Sequence, residues 1–191
     1  GAHVITVRYA KEGESIALLG GETRELTGDM LVIADAKNPI ALAGIKGGQH
    51  SAVSDTTTTV IFESAVFDAT SVRRTSTKVG IRTDASSRYE KTLDPEGSII
   101  ALSRLVSLTK QLCESAKVES EVVDVYPVAA SAVQIVVPVA HIQKRMGVSI
   151  EADEMIALLS RIGLSAIQKE EALHVHIPSW RSTKDITMVE D

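Results

Sequence analysis

Short apolar runs separated by turn residues fill the first third of the chain. Each run has the length of a β-strand rather than of a helix; the runs are 16–19, 31–33, 40–43 and 60–62. Gly20-Gly21 lies between two of these segments, and a glycine pair is typical of a hairpin because glycine reaches positive φ without steric cost. The pattern predicts that residues 14–64 are mostly sheet.

The apolar periodicity weakens between residues 66 and 91, where serine, threonine and arginine dominate. This stretch predicts a long ordered loop with one helical turn near residues 70–75. A helix is expected next, because Asp94 can cap a helix that begins at Pro95, and apolar residues then recur at helical spacing as far as Leu112.

Residues 117–132 contain acidic residues, a proline and a run of small residues, which predict a strand followed by an interdomain linker. A strand at 133–137, a helix from Pro138 to Gly147 and a helix at 152–162 are expected to follow. A hairpin at 164–177 completes the layout of a small winged-helix-like module. The sequence thus predicts an α/β chain of the α+β kind, with a first domain at 1–127 and a second at 128–191.

Composition narrows the function classes. The 191 residues include one Trp, three Tyr and two Phe, so the core must be largely aliphatic and a base-stacking nucleic-acid platform is disfavoured. The formal charge of -5 gives the chain no overall field that attracts polyanions.

Targeting signals are not evident. The single Cys113 cannot form an intramolecular disulfide or a zinc knuckle, and there is no long apolar run, so we expect a cytoplasmic protein without a membrane partner. The chain starts Gly-Ala-His and stops in a polar segment, which suggests a fragment of a longer polypeptide.

A locally basic stretch stands out in this acidic chain. Residues 71–91 carry six basic residues against two acidic ones, a local charge of +4; the basic residues are Arg73, Arg74, Lys78, Arg82, Arg88 and Lys91. The stretch is either a solvated loop with internal ion pairs or a docking surface for phosphates.

Other candidate chemistry is sparse. The sequence contains no GxxxxGK[ST] loop, no GxSxG and no HExxH, and His174 and His176 would need a third ligand to hold a metal. Glu63, at the end of an apolar strand, faces either solvent or a cleft. Asp185 and Asp191 lie six residues apart, a spacing compatible with magnesium but also with an acidic helix start.

Several segments, taken together, resemble a known family. The order and spacing of 31–35, 41–48, 63–67, 83–90 and Asp94-Pro95 are similar to the B3/B4 editing domain of phenylalanyl-tRNA synthetase β subunits, and Thr-Asp-Ala-Ser-Ser-Arg-Tyr-Glu at 83–90 is the most specific match. Pro178-Ser179-Trp180-Arg181, with Asp185-Ile186 and Asp191, resembles the end of the B5 domain in the same subunit.

This resemblance implies an activity and partners. An α2β2 ligase of this kind uses ATP in its α subunit to charge tRNA(Phe) with phenylalanine, while the β-subunit editing domain hydrolyses mischarged tyrosyl-tRNA(Phe). DNA is not an expected partner. Glu63 would then accept the hydrogen bond of the tyrosine hydroxyl, and Thr83 would lie near the aminoacyl group as the second catalytic residue. Ala85 would leave room for the ring, and Gly47 would allow close backbone approach.

The match also has departures. The family pocket uses a histidine upstream of Gly1, for which His3 is no substitute, so the chain alone is expected to edit poorly. Asp185 and Asp191 keep the family spacing for Mg²⁺, but two further residues intervene after Arg181, and the family's two following glutamates lie beyond Asp191, so the metal site is expected to be incomplete. The alternatives are a non-catalytic scaffold that docks tRNA and, less favoured, nucleic-acid binding by the second module.

Overall fold

The computed structural model describes residues 4–191 and combines helices with antiparallel sheets, which confirms the α+β class. The chain divides into two compact units, the first ending at Leu93 and the second running from Asp94 to Asp191. His3 lies outside the described residues. Within the described residues, no helix is both long and apolar enough to span a membrane.

Six strands form the sheets of the first unit. They are β1 (Thr6–Tyr9), β2 (Ser15–Ala17), β3 (Thr23–Glu25), β4 (Leu31–Ala34), β5 (Pro39–Leu42) and β6 (Lys46–Gly47). One sheet has the order β1-β4-β5-β6, and β2 pairs with β3 as a separate hairpin. Gly20 and Gly21 lie in that hairpin turn with φ of 93° and 86°, as the glycine pair predicts.

The core of the first unit is aliphatic, as the composition requires. Leu18, Leu26, Val32 and Leu42 are almost completely buried, and Phe67 is its aromatic member among the buried residues. β-branched and leucine side chains from several strands therefore bury the apolar surface that stabilises this unit.

Two helices replace the predicted long loop. They are α1 (Ala69–Val79) and α2 (Asp84–Tyr89). In α1 the side chain of Asp68 accepts a hydrogen bond from the backbone N–H of Ser71 at 2.7 Å, and Gly80 ends the helix with φ of 68°. Thr75 and Ser76 occupy two of the buried positions of α1. The buried face therefore recurs at helical spacing, but half of it is polar, so a search for apolar periodicity does not detect it.

The strand predicted at 60–62 is wrong. Residues 52–68 contain no helix or strand, and Val60 and Ile61 are 47% and 63% exposed. An apolar run is extended in either case, but it becomes a strand only where a neighbouring strand supplies backbone partners.

The second unit begins with a long helix. Helix α3 spans Gly97–Leu112 and has no buried residue, although Asp94 caps the preceding turn by accepting a hydrogen bond from the N–H of Glu96 at 3.0 Å. Residues 113–132 contain no helix or strand, so the strand expected after 117 is wrong.

The rest of the second unit follows the predicted order. Its elements are β7 (Val133–Pro138), α4 (Val139–Met146), α5 (Ala152–Arg161), β8 (Ser165–Lys169), β9 (Ala172–Ile177) and the short α6 (Ser179–Ser182). The three strands form an antiparallel sheet in the order β7-β9-β8, and Gly147 ends α4 with φ of 71°. The strand, helix, helix and hairpin of a winged-helix-like module are therefore present.

Candidate functional site

Thr83 joins α2 to the turn between β5 and β6. Its hydroxyl donates to the carbonyl oxygen of Ile45 at 2.7 Å and accepts from the N–H of Ser86 at 3.1 Å, while the Ser86 hydroxyl oxygen accepts from the N–H of Thr83 at 2.9 Å. This reciprocal capping box fixes the start of α2. A threonine hydroxyl has one proton and two lone pairs, so Thr83 retains one acceptor position for a further group.

The turn that receives this hydrogen bond is built on glycine. Gly44 has φ of 68°, and a Cβ atom there would lie 3.0 Å from Phe67 Cδ2 and 3.3 Å from Tyr89 Cγ. A Cβ at Gly48 would lie 2.5 Å from the carbonyl oxygen of Ile40. Close approach therefore favours glycine at both positions, and the positive φ favours it at Gly44 as well, whereas Gly48 has an ordinary φ of -80°.

Gly47, the glycine singled out from the sequence, lies in β6 opposite Ala41. A Cβ at this position would lie 3.3 Å from Leu19 Cδ1, at the end of a side chain that is itself exposed. The steric requirement for glycine is thus milder here than at Gly44 and Gly48.

Tyr89 connects α2 to the segment that carries Glu63. The Tyr89 hydroxyl donates to the carbonyl oxygen of Ala65 at 3.0 Å, and its ring packs against the Phe67 ring with 5.3 Å between centroids and a 54° tilt. Burial is the main cause of a raised Tyr89 pKa, and the nearby Glu63 charge raises that pKa further, so the phenol stays a neutral donor.

The Glu63 side chain is exposed at the surface, and neighbouring atoms partly desolvate its carboxylate. Burial raises its pKa, and no hydrogen bond or ion pair of this side chain is found among residues 4–191. Its position in an irregular segment, rather than at the end of a strand, is the difference from the sequence expectation. A carboxylate with this surrounding is a strong acceptor for an incoming hydroxyl.

Ala85 lies in the first turn of α2 and is partly buried, two residues after Thr83. The contacts reach the neighbours of the expected residues: the Thr83 hydroxyl donates to Ile45, two residues before Gly47, and the Tyr89 hydroxyl donates to Ala65, two residues after Glu63. The sequence analysis missed Gly44, Phe67 and Tyr89 as the connecting residues. No sequence signal marks Gly44, which precedes the residue that accepts the Thr83 hydrogen bond. Tyr89 could have been found, because it lies inside the specific 83–90 segment.

Half of the basic residues at 71–91 have partners within the first unit. Lys78 pairs with Asp29 at 2.9 Å, Arg82 pairs with Glu90 at 2.8 Å, and Arg88 donates to the carbonyl oxygen of Asp84 at 3.2 Å. The side chains of Arg73, Arg74 and Lys91 are exposed, and no hydrogen bond or ion pair of these side chains is found in the described part of the chain. The paired residues agree with internal ion pairing, and the unpaired ones leave a docking surface for phosphates open.

The expected magnesium ligands are occupied by protein groups. Asp185 pairs with Arg181, and Asp191 accepts hydrogen bonds from the N–H groups of Thr187 and Met188, which lower the pKa of its carboxyl. Among residues 4–191, no three His, Cys, Asp or Glu side chains are grouped as metal ligands would be. The donor set as it stands does not fit a magnesium ion.

The histidines also form no metal site in the described residues. His174 is partly buried on β9, with its Nδ1 buried and without a hydrogen-bond partner among residues 4–191, whereas His176 is exposed. Two shallow surface depressions lie beside β7, and neither is lined by Gly47, Glu63, Thr83 or Ala85.

Comparison with known proteins explains this arrangement. A family model described as "B3/4 domain" matches residues 2–114, which is more than half of the chain, and one described as "tRNA synthetase B5 domain" matches residues 135–191. The chain belongs to the B3/4 domain family. Residues 135–191 match a B5 domain, and the resemblance to phenylalanyl-tRNA synthetase β subunits is confirmed.

Curated relatives match the chain over almost its whole length. The chain is 40% identical over 188 residues to the phenylalanine–tRNA ligase β subunit of Solibacter usitatus, covering 98% of this chain and 24% of that protein. It is 41% identical over 179 residues to the corresponding subunit of Carboxydothermus hydrogenoformans, covering 93% and 22%. The chain thus spans about a quarter of the length of these relatives.

A solved structure is also similar. An N-terminal fragment of the phenylalanyl-tRNA synthetase β subunit from Pyrococcus horikoshii matches with 14% identity and a TM-score of 0.48, covering 98% of this chain and 53% of the fragment.

Proposed function

We propose that this chain is the editing part of a phenylalanine–tRNA ligase β subunit and that its B3/4 domain hydrolyses tyrosyl-tRNA(Phe). The domains would span residues 1–127 and 128–191. The relatives' shared name and the two matched family models support the subunit assignment, and the contacts around Glu63 and Thr83 support the site.

The observation that carries the proposal is the Glu63 carboxylate. It is desolvated enough to raise its pKa, yet no hydrogen-bond partner for it is found in the described residues. A partly desolvated carboxylate accepts a hydrogen bond from a ligand donor strongly, and it loses more if a bound ligand covers it without supplying a donor. A tyrosine phenol supplies that donor, and a phenylalanine ring does not.

The chemical problem explains why a second site is needed. An active site shaped for phenylalanine rejects tyrosine weakly, because tyrosine merely adds one hydroxyl to the same ring. A site that requires the hydroxyl discriminates far better, since phenylalanine would leave the acceptor unpaired at a cost of about 1–3 kcal/mol. Glu63 would give the B3/4 domain this requirement.

Hydrolysis would proceed with a positioned water. The water oxygen attacks the carbonyl carbon of the aminoacyl ester, the bond to the terminal ribose oxygen breaks, and a proton returns to that ribose oxygen. Because the Thr83 hydroxyl donates its hydrogen bond to the Ile45 carbonyl oxygen, it would act through its free lone pair, by accepting a hydrogen bond from the water or from the substrate amine. Ala85 and Gly47 would form small walls beside the ring.

The wider partners follow from the same assignment. We propose an α2β2 ligase in which an α subunit uses ATP and Mg²⁺ to charge tRNA(Phe), and a cytoplasmic location. Asp185 and Asp191 are the proposed magnesium residues of the B5 domain, but both carboxylates are engaged within the described chain, so no step here depends on magnesium. Arg73, Arg74 and Lys91 are the proposed contacts for tRNA phosphates.

Ala85→Trp tests the pocket directly. The indole would fill the space beside Thr83, so the assembled ligase carrying this change is expected to lose hydrolysis of tyrosyl-tRNA(Phe) while still charging phenylalanine. Deacylation of preformed tyrosyl-tRNA(Phe) is the measurement. Ala129→Trp, at an exposed position between the two matched domains, is the matched control and should leave deacylation unchanged.

Retention of tyrosyl-tRNA(Phe) hydrolysis by the Ala85→Trp enzyme would overturn the pocket. A ligase in which no Glu63 or Ala85 variant changes deacylation would instead indicate that these residues serve as a scaffold.

A further inference from the structure

The segment that carries Glu63 has no regular structure to hold it. Residues 52–68 form neither helix nor strand, so no ladder of backbone hydrogen bonds fixes the Glu63 carboxylate. An acceptor that selects one hydroxyl must nevertheless be held within a fraction of an ångström. Contacts from other elements must therefore supply the rigidity.

Tyr89 supplies those contacts from α2. Its hydroxyl donates to Ala65, two residues after Glu63, at 3.0 Å, and its ring contacts Phe67, four residues after Glu63. Phe67 is buried in the core of the first unit, whereas Glu63 itself has no such anchor. The two aromatic contacts thus fasten the downstream side of the Glu63 segment.

The same ring pair closes on the β5–β6 turn. A Cβ at Gly44 would lie within 3.3 Å of both aromatic rings and 3.1 Å from Val72 Cγ2, which shows that the rings rest directly on the backbone of this turn. The next residue, Ile45, receives the Thr83 hydroxyl hydrogen bond. Tyr89 therefore contacts both the Glu63 segment and the β5–β6 turn.

We propose that Tyr89, with Phe67 against Gly44, is a positioning residue that fixes Glu63 relative to Thr83 and so determines selectivity for the tyrosine hydroxyl. We name these three residues the aromatic clamp. This inference rests on the editing function proposed above and adds the residue through which Glu63 acts. The Tyr89 ring is expected to contribute most of the positioning, because it contacts both Phe67 and the backbone at Gly44. The hydroxyl adds one hydrogen bond to Ala65.

Tyr89→Leu removes the ring and the hydroxyl. In the assembled ligase we expect kcat/KM for tyrosyl-tRNA(Phe) to fall roughly 10- to 100-fold, as for a misplaced catalytic geometry, while the slow hydrolysis of phenylalanyl-tRNA(Phe) changes little. Tyr89→Phe keeps the ring and loses one hydrogen bond, so it should restore kcat/KM to within about 2- to 10-fold of the parent.

Two controls separate positioning from general destabilisation. Leu26→Ala removes a buried side chain from the same core and should lower the thermal midpoint without changing the ratio of tyrosyl to phenylalanyl hydrolysis. Tyr126→Phe is a matched tyrosine change in the second unit, where the hydroxyl accepts from Ala130, and should leave both rates unchanged.

A double-mutant cycle with Glu63→Ala decides the inference. If Tyr89 acts through Glu63, Tyr89→Leu will cause no further loss of selectivity in the Glu63→Ala background. Additive losses, or equal losses on tyrosyl and phenylalanyl substrates, would overturn the positioning role. If Glu63→Ala alone has no effect on selectivity, the proposed function fails; if Glu63→Ala has its effect and Tyr89→Leu has none, only the aromatic clamp fails.

Discussion

Glu63 carries a cost that its surroundings impose. Burial disfavours the ionised carboxylate, and no compensating donor is found in the described chain. Because the folded-state pKa is raised above the unfolded value, stability falls as pH rises through the unfolded pKa toward the folded pKa, and the loss persists at neutral pH. Because its desolvation lowers the stability of the folded chain, we interpret Glu63 as a residue for binding rather than for folding.

Replacement of this carboxylate should therefore stabilise the chain. Glu63→Gln keeps the side-chain shape and removes the charge, so we expect a higher thermal midpoint than that of the parent at pH 7. The difference should shrink below about pH 4, where the glutamate is protonated in both folded and unfolded states. Thermal unfolding monitored by circular dichroism across this pH range measures it, and a difference that grows in acid would contradict the assignment of burial as the cause.

The site residues differed in how far the sequence could predict their surroundings. The 83–90 segment indicated Thr83 and Ala85 through a specific pattern, but the hydrogen bond from Thr83 to Ile45 joins residues 38 apart in the chain. The sequence left Glu63 open between solvent and cleft, because burial depends on packing that a local pattern does not contain. The contact of Tyr89 with the Glu63 segment was missed for the same reason.

At the scale of elements, the β5–β6 turn depends on Gly44 for two separate reasons. Its φ of 68° disfavours any side chain, and its Cα hydrogens face the two aromatic rings and Val72. Gly13 has a similar φ of 75°, but a Cβ there would contact nothing within 4 Å. A comparison of Gly44 with Gly13 therefore separates the effect of backbone strain, which both positions share, from steric conflict, which only Gly44 has.

Gly44→Ala should destabilise the chain more than Gly13→Ala. Backbone strain alone is expected to cost about 1–2 kcal/mol in each variant, and displacement of the rings at Gly44 should add about 1–3 kcal/mol. Denaturant unfolding of the two variants gives the difference. Equal losses would show that the rings yield to a methyl group and that the aromatic clamp is loose.

Helices and strands were predictable where apolar periodicity and end signals coincided. The hairpin at Gly20-Gly21 and the helix ending at Gly147 are confirmed. Helix α1 was missed because Thr75 and Ser76 occupy half of its buried stripe. The strand expected at 60–62 failed because apolar character does not supply a pairing partner.

At the scale of the whole molecule, the family matches identify two domains, and the editing activity is our proposal. The chain has a B3/4 domain and a B5 domain and spans about a quarter of the length of its relatives, and in the proposed function the charging of tRNA belongs to other parts of the ligase. The overall charge of -5 and the three exposed, unpaired basic residues of 71–91 are compatible with a small phosphate contact rather than a broad nucleic-acid surface.

The most direct test compares tyrosyl-tRNA(Phe) and phenylalanyl-tRNA(Phe) deacylation by the assembled ligase carrying Glu63→Ala. Loss of the acceptor should reduce the ratio of the two kcat/KM values by about 5- to 150-fold, which corresponds to about 1–3 kcal/mol. Glu63→Gln should give an intermediate ratio, because its amide oxygen still accepts a hydrogen bond. An unchanged ratio in the Glu63→Ala enzyme would contradict hydroxyl recognition by this domain.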